Sequence, residues 1–175
     1  FILYKPKDII SGDFYWFTEL NGYMLFACAD CTGHGVPGAL MSMIGSNILT
    51  HIVSERNITS PADALAELDR RVRTSLKQEN EFDSKDGMDL AFCSVHKEKM
   101  ILHYSGANRP LILIRNGVLS ETAPDKFAMG GPYNPDKKFT HHKIQLEKGD
   151  RIYTFTDGFA DQFGGPKGKK MMKKN

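Results

Sequence analysis

The sequence has little cysteine and no strong excess of charge of either sign. Its 175 residues include three cysteines, and the formal net charge is +2. Cys28 and Cys31 form a C-x-x-C pair, but no second pair follows that would complete a zinc site, and an odd count does not suit a disulfide framework. The near-neutral charge gives no reason to expect nucleic acid as a partner. We therefore expect reduced thiols and a cytoplasmic location.

Long apolar runs are also scarce. No stretch approaches the roughly 20 apolar residues that span a bilayer, and no leader peptide opens the chain, so we expect no membrane contact. The end of the chain is rich in lysine, which is typical of a solvated segment. Because the chain begins at Phe1 without methionine and ends in Met-Met-Lys-Lys-Asn, we expect residues 1–175 to be one domain of a longer protein, truncated before its last strands.

The most informative stretch runs from Ala29 to Leu40. The apolar segment Tyr23–Ala29 predicts a strand that ends at Asp30, followed by a glycine-rich turn around His34 and a helix start near Pro37. Such a turn suits a functional site, because the rigid strand positions the carboxylate and the glycines allow backbone to approach a ligand.

A hairpin is predicted just before this stretch. Phe14–Thr18 is aromatic and β-prone, and Asn21-Gly22 is a strong turn signal before the strand Tyr23–Ala29. The hairpin would bring Asp13 and Asp30 side by side. A third acid, Asp157, follows the predicted strand 151–155. Three acids at strand ends beside glycines suggest a carboxylate-lined metal site.

The rest of the chain predicts two helices followed by strands. From Val36 the apolar spacing becomes helical, and a second helix begins with Ser60 as N-cap and Pro61 at its first position. We expect the first helix to have an apolar stripe, and a face of small residues that packs close to a sheet. The stripe contains Leu40, Met43, Ile44, Ile48 and Ile52. Strands separated by turns then favour an α+β domain with mainly antiparallel sheets.

Four motifs together resemble those of a known family. They are Lys7–Trp16 with Ser-Gly-Asp-Phe-Tyr-Trp, Ala29–Ala39 with Asp-x-x-Gly-His-Gly-x-Pro-Gly, Ser105–Asn108, and Thr156-Asp157-Gly158. The sequence resembles the metal-dependent serine/threonine phosphatases of the protein phosphatase 2C type, in the branch of bacterial stage II sporulation protein E. The resemblance implies a four-layer α-β-β-α sandwich of two mainly antiparallel sheets flanked by helices.

The resemblance also implies a centre of two Mn²⁺ or Mg²⁺ ions. By position, Asp13 would bridge both ions, Asp30 and the backbone carbonyl of Cys31 would bind one ion, and Asp157 would bind the other. In the family a last aspartate, on a later strand, completes the site, and this sequence ends before that strand. A phosphate-anchoring arginine found in some members has no counterpart upstream of Asp13. Lys7 is the nearest cation there, and Lys7 and Gly33 are candidate substrate-binding residues.

These ligands suit phosphoester hydrolysis. Carboxylate and carbonyl oxygens are hard donors that favour Mg²⁺ or Mn²⁺, and such ions activate water without a covalent intermediate. A Cys-x5-Arg loop is absent, so the cysteines are not nucleophiles. His34 could protonate the leaving oxygen, or it could only cap the turn or bond a ligating carboxylate. Asp86 or Asp89 could hold a weaker third ion, or be a loop acid that begins a strand; of the two we prefer Asp86.

Two functions remain open. The first is a protein-serine/threonine phosphatase that acts on a phosphorylated anti-sigma-factor antagonist or a similar bacterial signalling protein, with a homodimer formed through the helices as the family resemblance implies. The second is an interaction module in a signalling protein that keeps the fold but is catalytically impaired. The three aspartates favour the first, and the missing last aspartate favours the second.

Overall fold

The structure is a computed structural model that describes residues 1–6, 9–78, 84–131, 134, 136–164, 166 and 169–170. The helices are α1 Gly35–Thr50, which continues into a π-helical turn His51–Glu55, and α2 Pro61–Leu76. The strands are β1 Phe14–Leu20, β2 Tyr23–Cys31, β3 Gly87–His96, β4 Ile101–Ala107, β5 Leu111–Arg115, β6 Val118–Thr122, β7 Met129–Gly130, β8 His142–Gln145, β9 Arg151–Tyr153, β10 Phe163–Gly164 and β11 Lys169–Lys170.

The larger sheet has the order β1-β2-β3-β4-β8, with β7 paired to one end of β3. All its pairings are antiparallel. The predicted hairpin is confirmed, and its turn residues Asn21 and Gly22 have φ values of 49° and 80°. Positive φ at both central residues matches the strand twist, which explains why Asn-Gly stands there.

The smaller sheet of the sandwich has the order β6-β5-β9 and packs on the larger one. Strands β10 and β11 form a separate two-stranded pair. Between the sheets lies a core of side chains from β3, β4 and β5: Ala91, Cys93, Val95, Leu102, Tyr104, Leu111 and Leu113, together with Leu146. The two-sheet α+β sandwich is therefore confirmed. In the described part of the chain, α-helices cover only the outer face of the larger sheet, so three of the four expected layers are present.

Helix α1 packs on the larger sheet through small residues. A Cβ added at Gly45 would lie 2.7 Å from the Met88 methyl carbon, so the glycine allows close contact with β3. The predicted small-residue face is thus confirmed. The predicted apolar stripe is partly wrong: Leu40 and Met43 are exposed, whereas Met41 and Leu49 are buried. The reason is that the glycines, rather than the largest side chains, decide which face approaches the sheet.

Helix α2 begins as predicted, with Ser60 before Pro61, although the Ser60 side chain makes no capping hydrogen bond. Its buried residues, which include Ala64, Leu65, Leu68 and Val72, lie in the core between the helices and the larger sheet. The second helix is therefore confirmed.

The continuous helix 35–55 is apolar enough to merit comparison with a membrane span. By length and composition alone its 21 residues would suffice to cross a bilayer, contrary to the expectation that no stretch of the chain is long and apolar enough. In the structure a third of its most apolar window is buried, and residues including Leu49 and Ile52 belong to the core beside α2. Part of the apolar surface of this helix thus packs within the domain.

Candidate metal centre

Four polar side chains form a row across neighbouring strands at one end of the larger sheet. Phe14 pairs with Ala29, so Asp13, one residue earlier, is level with Asp30. Asp30 pairs directly with Asp89 on β3. Across the next strand, Asn108 Nδ2 donates a hydrogen bond of 2.8 Å to Asp89 Oδ1. The antiparallel register therefore gathers three aspartates and an asparagine from four chain segments.

The row faces the space between the two sheets. In β2 and β3, Ala29 and Leu90 point toward the helices and belong to that core. Asp30 and Asp89 alternate with them and so point to the opposite face. The carboxylates thus lie where the apolar core between the sheets ends, in a position that is partly shielded from water.

The fourth acid comes from the other sheet. Asp157 lies four residues after the end of β9, and the preceding residue, Thr156, donates a hydrogen bond of 2.6 Å from Oγ1 to Asp13 Oδ2. A Cβ added at Gly158 would be 3.7 Å from the same Asp13 oxygen. The Thr-Asp-Gly segment therefore closes over Asp13, and the structure unites all three acids that the sequence singled out.

The backbone carbonyl of Cys31 lies beside Gly12, the residue before Asp13. The next amide, Thr32 N–H, donates to Gly87 O at 2.9 Å, and in a trans peptide the carbonyl points the opposite way. A Cβ added at Gly12 would be 3.2 Å from Cys31 O, which places that oxygen beside the residue before Asp13. The Cys31 thiol is buried on the helix side of the sheet, and burial raises its pKa to about 12. The Cys31 carbonyl oxygen therefore lies near the acids, and its sulfur lies on the other face of the sheet.

Arg109 lies at the centre of the acids, although it was not among the residues predicted from the sequence. Its Nη2 donates to Asp30 Oδ2 and, at 2.8 Å, to Asp157 Oδ2, and it lies 3.3 Å from Asp89 Oδ2. The signal was nearby: Arg109 directly follows Asn108, the last residue of a singled-out motif, at the end of a strand that neighbours β3. One guanidinium thus contacts carboxylates from three segments.

Negative charge still exceeds positive charge at this site. Burial raises the pKa of Asp30 to about 7; the nearby carboxylates of Asp13 and Asp157 act in the same direction, and the Arg109 guanidinium opposes them. Burial, followed by the charge of Asp13, also raises the pKa of the Cys28 thiol, to about 11. A neutral thiol is a poor nucleophile, which agrees with the absence of a cysteine-phosphatase loop.

The other predicted residues lie outside this row. His34 is the exposed residue before α1, and its side chain makes no capping hydrogen bond, so the capping alternative is not realised. Gly33 is exposed with φ of 88°.

Asp86, our preferred candidate for a third ion, is exposed and accepts a hydrogen bond from Ser84. Asp89 joins the row instead, because the register carries it opposite Asp30. Lys7 lies outside the described residues.

The donor set fits divalent cations in its chemistry. Four carboxylates and a carbonyl supply only oxygen atoms, the donors that Mg²⁺ and Mn²⁺ prefer. A cationic nitrogen, Arg109 Nη2, already stands among three of the carboxylates. Over the described ranges, no three acids, histidines or cysteines are arranged around a common point that would suit a metal ion. The acids therefore surround a cation, and that cation is the guanidinium.

Comparison with known proteins places this fold and these motifs in a family. Residues 21–175 match the family model described as stage II sporulation protein E. No curated protein sequence matches significantly. Among solved structures, the SiaA-PP2C domain of Pseudomonas aeruginosa is similar, with a TM-score of 0.86 and 32% identity. That comparison covers 99% of this chain and 66% of the other.

Two more distant structures share the fold alone. The PP2C phosphatase domain of the cell fate determinant SpoIIE from Bacillus subtilis has a TM-score of 0.69 at 18% identity, over 87% of this chain and 42% of that one. RsbX, solved in complex with magnesium, has a TM-score of 0.67 at 20% identity, over 90% of this chain and 71% of that one. The chain thus spans less than two thirds of the SiaA and SpoIIE chains. It belongs to the stage II sporulation protein E family and has the fold of PP2C-type phosphatases.

Proposed function

We propose that this chain is a metal-dependent phosphoserine/phosphothreonine protein phosphatase of bacterial signalling. One observation supports this most strongly: folding gathers Asp13, Asp30 and Asp157 from distant segments into one partly buried carboxylate cluster. Buried like charges repel one another, so such a cluster costs stability unless cations compensate it. Clusters of this kind are typical of functional sites.

The chain's own residues would hold two Mn²⁺ or Mg²⁺ ions. Asp13 would bridge them, Asp30 and the Cys31 carbonyl would bind one, and Asp157 the other. Asp89 replaces Asp86 as our candidate for a weaker third ion. Such ions lower the pKa of bound water and neutralise negative charge on phosphate oxygens. Thr156 orients Asp13 through its 2.6 Å hydrogen bond.

His34 is the proposed proton donor to the leaving serine or threonine oxygen. It is exposed at the start of α1, in the turn that leads away from Asp30, so a substrate at the carboxylates would lie near it. Gly33, in the same turn, would let backbone approach the phosphate. Both assignments predict that changes in this turn alter turnover more than metal binding.

The family supports a proposal for the substrate class. We propose a phosphorylated anti-sigma-factor antagonist or a similar bacterial signalling protein, acted on in the cytoplasm. The three free thiols agree with a reducing compartment.

We also propose a homodimer through the helices, since Val36, Leu40 and Met43 leave apolar surface exposed on α1. Light scattering after size exclusion would measure the mass of the particle in solution.

A second function is a catalytically impaired interaction module. The ion pairs of Arg109 with Asp30 and Asp157 favour it, because they engage carboxylates that would bind metal. If this alternative holds, the protein binds its phosphoprotein partner but releases no phosphate at any Mn²⁺ concentration.

Release of phosphate from phosphoserine peptides, with and without Mn²⁺, tests the proposal. We expect Mn²⁺-dependent turnover that falls by at least about a hundredfold in Asp30→Asn and Asp157→Asn, since each removes a ligand charge. Asp63→Asn, an exposed acid in the first turn of α2, is the matched control and should keep full activity. Turnover that is independent of Mn²⁺ or unaffected by both ligand variants would contradict the proposal.

A further inference from the structure

The most unusual feature of the site is a single nitrogen among three carboxylates. Arg109 Nη2 makes ion pairs with Asp30, Asp89 and Asp157, which belong to β2, β3 and the segment after β9. The arginine side chain is 13% exposed. The Nε atom of the same side chain is buried and has no hydrogen-bond partner among the described residues. The guanidinium is therefore held by its contacts with the acids, at the cost of one unpaired donor.

The backbone of Arg109 is anchored independently of its side chain. Tyr104 Oη donates a hydrogen bond of 2.6 Å to the Arg109 carbonyl. The preceding residue, Asn108, is tied to β3 through Asp89 and to Asp125 through its amide. The side chain can thus leave the carboxylates by rotating about its own bonds, while the backbone stays in place.

Arg109 and divalent ions would draw on the same carboxylates, Asp30 and Asp157. A Mg²⁺ ion takes oxygen ligands at about 2.0–2.1 Å, much closer than the N–H···O contacts of a guanidinium. Two cations that share Asp30 Oδ2 and Asp157 Oδ2 within a few ångströms would also repel one another. Simultaneous occupation by the guanidinium and an ion at these oxygens is therefore unfavourable.

We propose that Arg109 is a tethered competitor of the metal ions: its guanidinium occupies the carboxylate cluster and must be displaced when divalent cations bind. This inference rests on the proposed function. It implies that Arg109 lowers the apparent metal affinity and thereby sets the cation concentration at which the site fills. It also implies that the metal-free fold depends on Arg109 to offset the repulsion among the acids.

Isothermal titration calorimetry with Mn²⁺ tests this directly on the 175-residue chain. We expect Arg109→Ala and Arg109→Gln to bind Mn²⁺ about tenfold tighter than the original protein, a change that corresponds to about 1.4 kcal/mol. Arg115→Ala is the matched control, because Arg115 pairs with Glu147 and Asp150 away from the cluster and its loss should leave Mn²⁺ affinity unchanged. Without metal, both Arg109 variants should melt at a lower temperature.

The possible results separate the inference from the proposed function. If the original protein binds Mn²⁺ and the Arg109 variants bind it equally or more weakly, the competition is refuted and the phosphatase proposal stands. If no variant binds Mn²⁺, both are refuted.

A measurement on the unaltered protein guards against variants that fail to fold. The side-chain Nε signal of Arg109, assigned by its loss in Arg109→Lys, should shift in ¹⁵N NMR spectra as Mg²⁺ is added, while that of Arg115 stays in place. An Arg109 signal that does not move at saturating Mg²⁺ would refute the displacement.

Discussion

At the scale of single residues, Asp30 is the described acid whose pKa differs most from its ordinary value. It lies in the middle of the cross-strand row, between Asp13 and Asp89. The Arg109 guanidinium forms an ion pair with it. Burial raises its pKa to about 7, so near neutral pH it is divided between its two protonation states. Its charge thus responds both to pH and to cations.

A first prediction concerns pH and stability without metal. The folded protein holds a proton on Asp30 up to about pH 7, whereas the unfolded chain loses it near 3.8. Between these values the folded state binds more protons, so the free energy of unfolding should fall as pH rises through this window. Urea unfolding in EDTA at several pH values measures this slope. Asp30→Asn should flatten it, and an unchanged slope in that variant would assign the effect to another group.

A second prediction concerns Thr156. Its hydroxyl is the donor that orients Asp13, so Thr156→Val should weaken Mn²⁺ binding by about tenfold, as is usual when the partner of a metal ligand is lost. Thr156→Ser keeps the hydroxyl and should retain the affinity. Calorimetric titration of both variants provides the comparison, and equal affinities in the valine and serine variants would show that the hydrogen bond does not support the site.

At the scale of elements, helix α1 shows how packing overrides an apolar pattern. Leucines occur on both sides of this helix, but its glycines approach β3 and turn Leu49 inward and Leu40 outward. Helix α2, by contrast, has a single apolar face between charged ones, so its buried side followed from the sequence.

A third prediction uses these two leucines. Leu49 is 0% exposed and Leu40 is 54% exposed. Leu49→Ala should lower the free energy of unfolding by about 2–5 kcal/mol, the usual cost of a cavity in a core. Leu40→Ala should change it by less than about 0.5 kcal/mol in the monomer. Chemical denaturation of each variant measures the difference; similar losses would mean that α1 is rotated relative to the described arrangement.

At the scale of the whole molecule, the carboxylate cluster joins the two sheets. Asp30 and Asp89 belong to the larger sheet, Asp13 directly precedes its strand β1, and Asp157 follows β9 of the smaller one. An ion bound by both groups would be a cross-link between layers whose own contact is the apolar core. Metal binding should therefore stabilise the whole sandwich against unfolding.

A fourth prediction follows for metal addition and removal. Mn²⁺ at about a hundred times its dissociation constant should stabilise the fold by about 2.7 kcal/mol, a rise of several degrees in melting temperature. EDTA should reverse the rise, and Asp157→Asn should abolish most of it. Calorimetric melting curves with Asp63→Asn as control test this. A rise that persists in Asp157→Asn would place the ion away from the junction of the sheets.

The sequence by itself determined the features that depend on neighbours along the chain. The Asn21-Gly22 turn sets the register of its hairpin, and that register places Asp13 beside Asp30 without help from the rest of the fold. The start of α2 at Pro61 is likewise local, since proline suits the first helical position.

Only the tertiary structure decided which distant groups meet. Asp89 was chosen over Asp86 by the pairing of β2 with β3, and Arg109 reached the acids through the path of β4. The buried side of α1 was set by close approach to β3. These outcomes depend on contacts between segments far apart in sequence, where a shift of one residue moves a side chain to the opposite face of a strand. Local patterns carry no such information, so the three acids could be foreseen from their motifs, whereas the place of Arg109 among them depended on the pairing of distant strands.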